Sequence, residues 1–149
     1  MTDLIVRDLQ RSDRDEWDSL YRGYANFYQV EQTSVMRDTV WSWLHDGRKE
    51  PRGLVAERAN GTLVGLAHYR PFARPLSATT GCYLDDVFVS PDARGTGAAD
   101  ALINRVRAIA QQENWSVVRW ITAETNYRGR AVYDRLATKT NWVTYDIKI

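Results

Sequence analysis

Apolar positions recur along this chain with two different periods, and the switches between them lay out its elements. Leu4 to Leu9 reads as a first strand. Ser12, with Asp15 three residues on, gives a helix start before Trp17, Leu20, Tyr21 and Tyr24, which share one helical face. Thr33 or Ser34 caps a second predicted helix bearing Met36, Val40, Trp41 and Leu44, with Gly47 as its stop. Gly53–Arg58 and Thr62–Arg70 read as antiparallel strands joined by a two-residue Asn60-Gly61 turn. Pro71 and Pro75 then bracket a loop, and Thr79–Ser90 forms a longer strand ended by Ser90-Pro91-Asp92. Ala99, Leu102, Ile103, Val106, Ile109 and Ala110 define a third helix, Ser116–Thr122 a buried strand, and Tyr127–Ala137 a fourth helix. Trp142–Ile149, with Val143, Tyr145 and Ile147 alternating, reads as a closing strand. The resulting order, β-α-α-β-β-β-α-β-α-β, suits an α/β fold with a mixed sheet and helices on both faces.

Composition narrows the picture. At 149 residues the chain is expected to form one domain over 1–149. Its 20 basic and 19 acidic side chains leave a net charge of +1, which gives no support to a nucleic-acid partner. No apolar run reaches the roughly 18–20 residues of a membrane helix, and Met1–Arg7 is too short and charged for a secretory signal. The single cysteine, Cys82, cannot form an internal disulfide and reads as buried packing, so a cytoplasmic location without a membrane partner is expected. Six tryptophans and eight tyrosines are many for this length, and Trp17, Trp115, Trp120 and Trp142 fall in periodic segments that favour core filling. His45 and His68 lie far apart, and neither joins a Cys/His/Asp spacing, so no metal is expected. There is no G-x-S-x-G elbow and no G-K-[ST] after the glycine loop, which weakens serine-hydrolase and nucleoside-triphosphate readings.

The chemistry concentrates between Tyr83 and Asp100, where an apolar strand passes through a short turn into a glycine-rich helix start. Arg94, Gly95 and Gly97 sit where the chain turns helical, so unpaired N–H groups and the helix dipole favour an anion there. Glycine permits close approach of a phosphate, and Arg94 adds a charged donor beside it. Asp85 and Asp86 are adjacent in the strand, so simple alternation sends them to opposite faces; a strand flanked by Leu84, Val87 and Val89 has little structural reason to hold two carboxylates. Asn126 reads as the N-cap of the fourth helix, and Tyr133 stands on that helix seven residues on.

These residues resemble a family. Arg94-Gly-Thr-Gly97-Ala-Ala99 is similar to the R/Q-x-x-G-x-G/A signature of the GNAT superfamily of acetyl-CoA-dependent N-acetyltransferases, with a second segment at Asn126, Ala131 and Tyr133. The resemblance spans Thr80–Ile149 by motif and Met1–Thr79 by element order. It implies a GNAT fold, with a mainly antiparallel sheet in which Tyr83–Ser90 and Ser116–Thr122 splay apart to admit the pantetheine arm. It implies acetyl-CoA as cosubstrate, bound by Arg94, Gly95, Thr96, Gly97, Ala98 and Ala99, by the main chain of Val87, Phe88 and Val89, by Asn126, and by Arg130 as a further phosphate candidate. Tyr133 matches the position that protonates the departing sulfur. Tyr83–Val89 looks similar to the equivalent strand of spermidine/spermine acetyltransferases, which maps the base to Asp85.

Asp85 and Asp86, with Tyr24, Tyr28 and Glu31 in the helix 1–2 region, point to a cationic primary amine, polyamine-like or lysine-like. The C-terminal part resembles the yeast-type histone and polyamine acetyltransferase branch, which implies a homodimer. An alternative from another class is a non-catalytic acyl-CoA sensor that keeps the glycine loop without transfer.

Overall fold

The apolar stripes of the helices are buried against opposite faces of one sheet. The computed structural model describes residues 3–149. In chain order its elements are β1 (Ile5–Asp8), α1 (Arg14–Phe27), α2 (Ser34–Leu44), β2 (Arg52–Glu57), β3 (Leu63–Arg74), β4 (Thr79–Val89), α3 (Ala98–Gln112), β5 (Val118–Arg119) and α4 (Tyr127–Leu136). The strands lie in the order β1-β2-β3-β4-β5, antiparallel except for the β4–β5 pair. Alternation along the strands divides the core. Val55, Leu66 and Phe88 meet Trp17, Leu20 and Tyr21 of α1 on one face. Leu54, Ala56, Ala67, Leu84 and Val89 meet Leu102, Ile103, Val106 and Ile109 of α3 on the other. Cys82 is fully buried in the second core, and burial pushes its thiol up to about 11.

Several boundaries differ from the sequence reading, each for a local reason. α1 starts at Arg14, because Asp13 is drawn off to accept from the Gln10 N–H at 2.7 Å and from Arg7 at 2.8 and 2.9 Å. The Arg7 guanidinium holds the Asp13 carboxyl below its ordinary range, and a second bond to Glu57 at 2.6 Å ties β1 to β2. Thr33 caps α2, accepting from Met36 N–H at 3.2 Å, and the helix ends at Leu44, before Gly47. The β2–β3 connection spans five residues, Arg58–Thr62, rather than two, and is closed by Arg58 N–H donating to Thr62 C=O and Gly61 N–H donating to Arg58 C=O, both at 2.9 Å.

β3 runs through Pro71 to Arg74 where a loop was expected. β2 stops opposite Tyr69, so beyond it β3 has one free edge, and a proline without an N–H is tolerated there. β5 has two residues instead of seven, and Trp142–Ile149 forms no strand. That closing segment stands away from the domain, with Trp142, Val143, Tyr145 and Ile147 each at least 72% exposed, so Trp142 is not core. Trp17 is fully buried, and Trp115 and Trp120 pack partly buried against the α3 core.

Among the described residues no helix is long and apolar enough to cross a membrane.

Candidate active site

β4 and β5 pair only at Cys82↔Val118 and Tyr83↔Arg119 and then diverge. From Leu84 onward, β4 therefore has no strand on its β5 side, and alternate peptide groups of that stretch face an open wedge. The splay is the one expected of Tyr83–Ser90 and Ser116–Thr122, and it holds a cleft of about 360 Å³. One wall is Val87, Phe88 and Val89. The second is Arg94, Gly95, Gly97, Ala98 and Ala99, and the third is Asn126, Gly129 and Tyr133 of α4, with Phe27 and Tyr28 closing the α1 side.

The second wall fits a phosphate. Gly95 and Gly97 have φ of 81° and 87°, a left-handed conformation that glycine adopts without strain, and a Cβ at either would point into open space. Gly97 is the N-cap of α3 and offers no side chain, so the N–H groups of the first turn face the cleft unfilled. Arg94 lies 5.1 Å from the Phe27 ring and 5.9 Å from the Phe88 ring, donates to Val89 C=O at 3.3 Å, and has no carboxylate partner among the described residues. Thr96 is turned inward, its hydroxyl donating to Ala93 C=O at 2.5 Å. Arg130 is likewise outside the lining and donates to Glu124 C=O at 2.7 Å. The α4 guanidiniums at the cleft are instead Arg128 and Arg135, the latter paired with Asp100 at 3.0 Å.

Asn126 caps α4, accepting from Gly129 N–H at 3.2 Å and donating to Thr122 Oγ1 at 3.0 Å and to Tyr28 Oη at 3.3 Å. This links the cap to the aromatic wall across the wedge. Tyr133 projects from the same helix, edge-on to Trp120 at 5.5 Å, and burial with the neighbouring Tyr28 phenol pushes its hydroxyl up to about 12. It keeps its proton at neutral pH and can donate one.

The two aspartates do not obey simple alternation. His68 stands opposite Asp86 and Tyr69 opposite Leu84, so Asp85 is the extra residue of a bulge. Asp86 meets His68, and Asp85 meets Arg70 at 3.0 Å. His68 and Arg70 are two residues apart on β3, so both carboxylates reach the same face, the α1 side, which corrects the opposite-face expectation.

Their environments push them apart. Burial raises the Asp85 carboxyl, with Asp86 adding and Arg70 only partly offsetting. Burial acts the same way on Asp86, yet hydrogen bonds from His68, Tyr21 and Tyr24 prevail and hold it below its ordinary range. Two carboxylates driven in opposite directions can divide the work of a proton acceptor and a fixed anion. A Tyr24–Tyr28 pair, centroids 5.0 Å apart, runs from this point to the cleft, with Tyr24 edge-on to Phe88 at 5.9 Å. Glu31 is exposed in the α1–α2 connection and is not part of the cleft wall. His68 was read from the sequence only as lacking a metal-ligand spacing, because its partners, Trp17 and Asp86, lie 51 and 18 residues away.

The sequence model of the family described as "Acetyltransferase (GNAT) family" matches residues 17–137. The chain is 25% identical over 143 residues to the D-amino-acid N-acetyltransferase HPA3 of Saccharomyces cerevisiae, covering 95% of this chain and 89% of that protein. It superposes on the ribosomal-protein-alanine N-acetyltransferase of Brucella melitensis biovar Abortus 2308 with TM-score 0.77 at 25% identity, over 98% of this chain and 99% of that one. An aminoglycoside 6'-N-acetyltransferase of Acinetobacter baumannii shares the fold, with TM-score 0.79 at 17% identity over 98% of each chain.

Proposed function

The chain belongs to the GNAT acetyltransferase family and is an acetyl-CoA-dependent N-acetyltransferase, and on that premise we propose that its acceptor is a cationic primary amine. The observation that carries the reading is the pair of inequivalent carboxylates on the α1 side of β4, immediately before Val87, where that strand enters the cleft wall facing Tyr133; Asp85 and Asp86 do not themselves line the cleft. Asp86, kept ionised, anchors the incoming ammonium together with the Tyr24 and Tyr28 phenols. Asp85, whose carboxyl is raised, takes the proton that frees the nitrogen lone pair.

Acetyl-CoA supplies an activated thioester. Backbone N–H groups around Val87, left without a strand partner by the splay, polarise its carbonyl. The amine nitrogen then bonds to the carbonyl carbon, the carbon–sulfur bond breaks, Tyr133 gives its proton to the departing sulfur, and the proton the nitrogen sheds on becoming an amide leaves through water, which returns one to Tyr133. Val87, Phe88 and Val89 hold the pantetheine amides as an added strand would. Arg94, Gly95, Gly97 and the first turn of α3 hold the phosphates, with Arg128 in the place first assigned to Arg130. The amines named for the two relatives, a D-amino acid and a protein alanine, belong in the test alongside polyamines and lysine peptides. Thiol release from acetyl-CoA across that panel is expected to be fastest for acceptors with a second cationic group. Equal rates for neutral-tailed and cationic acceptors would defeat the preference for a polyamine-like acceptor, and turnover by Asp86→Asn at the parent's rate would defeat the assignment of Asp86.

We also propose a cytoplasmic homodimer. The support is the extended segment after α4, whose alternating Val143, Tyr145 and Ile147 are exposed. A second support is the free outer edge of β5, with an apolar groove of about 270 Å³ lined by Ile103, Trp115, Val118, Trp120 and Leu136. Edges of this kind pair with another chain. Light scattering of the full chain is expected to give twice the subunit mass, and of a chain ending at Thr138 a single subunit. One subunit for the full chain across concentrations would defeat the dimer.

A further inference from the structure

Trp17 is fully buried on the inner face of α1, and its indole N–H donates to Nε2 of His68 at 2.9 Å. An indole nitrogen is a donor only. His68 therefore accepts at Nε2, and in the neutral imidazole its single proton sits on Nδ1. That N–H points at Asp86 Oδ2, 2.8 Å away, where the Tyr21 hydroxyl also donates at 3.0 Å. His68 is itself 2% exposed, and the Asp86 side chain is 18% exposed, so the chain of bonds runs from the dry core to a carboxylate at its margin. The imidazole is wedged edge-on against Tyr21 at 4.7 Å, and Trp17 is held by Trp41 at 5.0 Å and by Arg14 over its ring at 5.7 Å. Neither ring can turn without breaking this packing.

We propose that Trp17 and His68 are positioning residues for acetyl transfer: the indole fixes His68 as the Nδ1–H tautomer, and that N–H, with Tyr21, holds Asp86 as an anion turned toward the acceptor amine. The proposal rests on the reading of Asp86 as the amine's anchor. Without the indole N–H, the imidazole is free to carry its proton on Nε2, which sets the Nδ1 lone pair against the carboxylate, or to take a second proton and neutralise the anchor's charge. The groups that face Asp86 are His68 of β3, Tyr21 and Tyr24 of α1, and Asp85 of β4 with its partner Arg70. Among these, His68 sets which atom donates, because its proton has two possible seats and Trp17 selects between them.

The chain has only two histidines, so the test is direct. In protein labelled with nitrogen-15 histidine and assigned with His68→Asn, long-range proton–nitrogen correlation spectra are expected to show His68 with Nδ1 protonated and Nε2 bare. Trp17→Phe keeps an aromatic ring and removes the donor together with the second ring of the indole. It is expected to put a proton on Nε2 and to lower kcat/KM for the amine about tenfold, with the KM for acetyl-CoA little changed. His68→Leu is expected to lose about thirtyfold and to move the acid limb of the amine kcat/KM profile to higher pH, because Asp86 has lost a donor. His68→Asn, whose amide N–H still reaches toward Asp86, is expected to recover most of that loss. Should Trp17→Phe not fold, the two His68 variants carry the test.

A protonated Nε2 in the parent protein would overturn the proposal, as would a His68→Leu profile superimposable on the parent's. If Asp86→Asn impairs the amine step while Trp17→Phe leaves both spectrum and rate unchanged, the proposal falls and the anchor reading stands. If Asp86→Asn itself turns over normally, both fall.

Discussion

Tyr133→Phe is expected to lower kcat by about 10²-fold or more while changing the KM for acetyl-CoA less than about threefold. Phenylalanine keeps the ring that packs edge-on to Trp120 at 5.5 Å and removes only the hydroxyl, so the cleft wall survives and the proton does not. The magnitude is that of a positioned general acid acting on a leaving group. Because burial pushes the Tyr133 hydroxyl up to about 12, the group stays protonated throughout the working range. Any basic limb of the parent pH profile below pH 10 should therefore persist in the variant. Thiol release in the steady state and in single turnover, with the best acceptor from the panel, checks both statements. Full turnover by Tyr133→Phe would remove it as the acid and leave water in that role.

Asp86→Asn is expected to lower kcat/KM for the amine by a similar factor, about 10²-fold, and also to destabilise the fold. The side chain is the common acceptor for His68 Nδ1–H and the Tyr21 hydroxyl. Both donors converge on Oδ2, so an amide oxygen there meets them without the negative charge while its N–H is set among donors, at a cost of about 1–3 kcal/mol. The pH dependence has a definite sign. The folded carboxyl of Asp86 is held below the ordinary value of about 3.9, so its stabilising contribution is fully present above that value and is lost as pH falls through the lower folded one. The stability gap between parent and Asp86→Asn should be constant from about pH 5 upward and shrink below pH 4. Urea unfolding across that range measures it. A gap independent of pH would show that the ionised form is not what the pocket stabilises.

Much of the site was legible because it is local. The glycine loop is a contiguous string at a strand-to-helix junction, and the family resemblance at Asn126 and Tyr133 falls on the cap and body of one helix. What escaped is what depends on pairing between distant strands. The bulge at Asp85 is a property of the β3–β4 register, and it brings two carboxylates to one face where alternation sends them apart. The same register sets His68 opposite Asp86. Arg128 replaces Arg130 in the cleft wall because helical phase relative to the wedge decides which guanidinium faces it.

The sequence by itself determined the order of elements as far as α4, the two-faced core and the anion-ready start of α3, because periods of 2 and 3.6 residues and left-handed glycines are properties of short stretches. Tertiary structure decided the rest. It settled how far β3 extends past Pro71, which depends on where β2 stops. It settled that β5 is only two residues long, because β4 and β5 diverge to open the wedge. It also left the alternating segment after α4 without a strand to pair with, since a strand's hydrogen bonds belong to its neighbour as much as to itself.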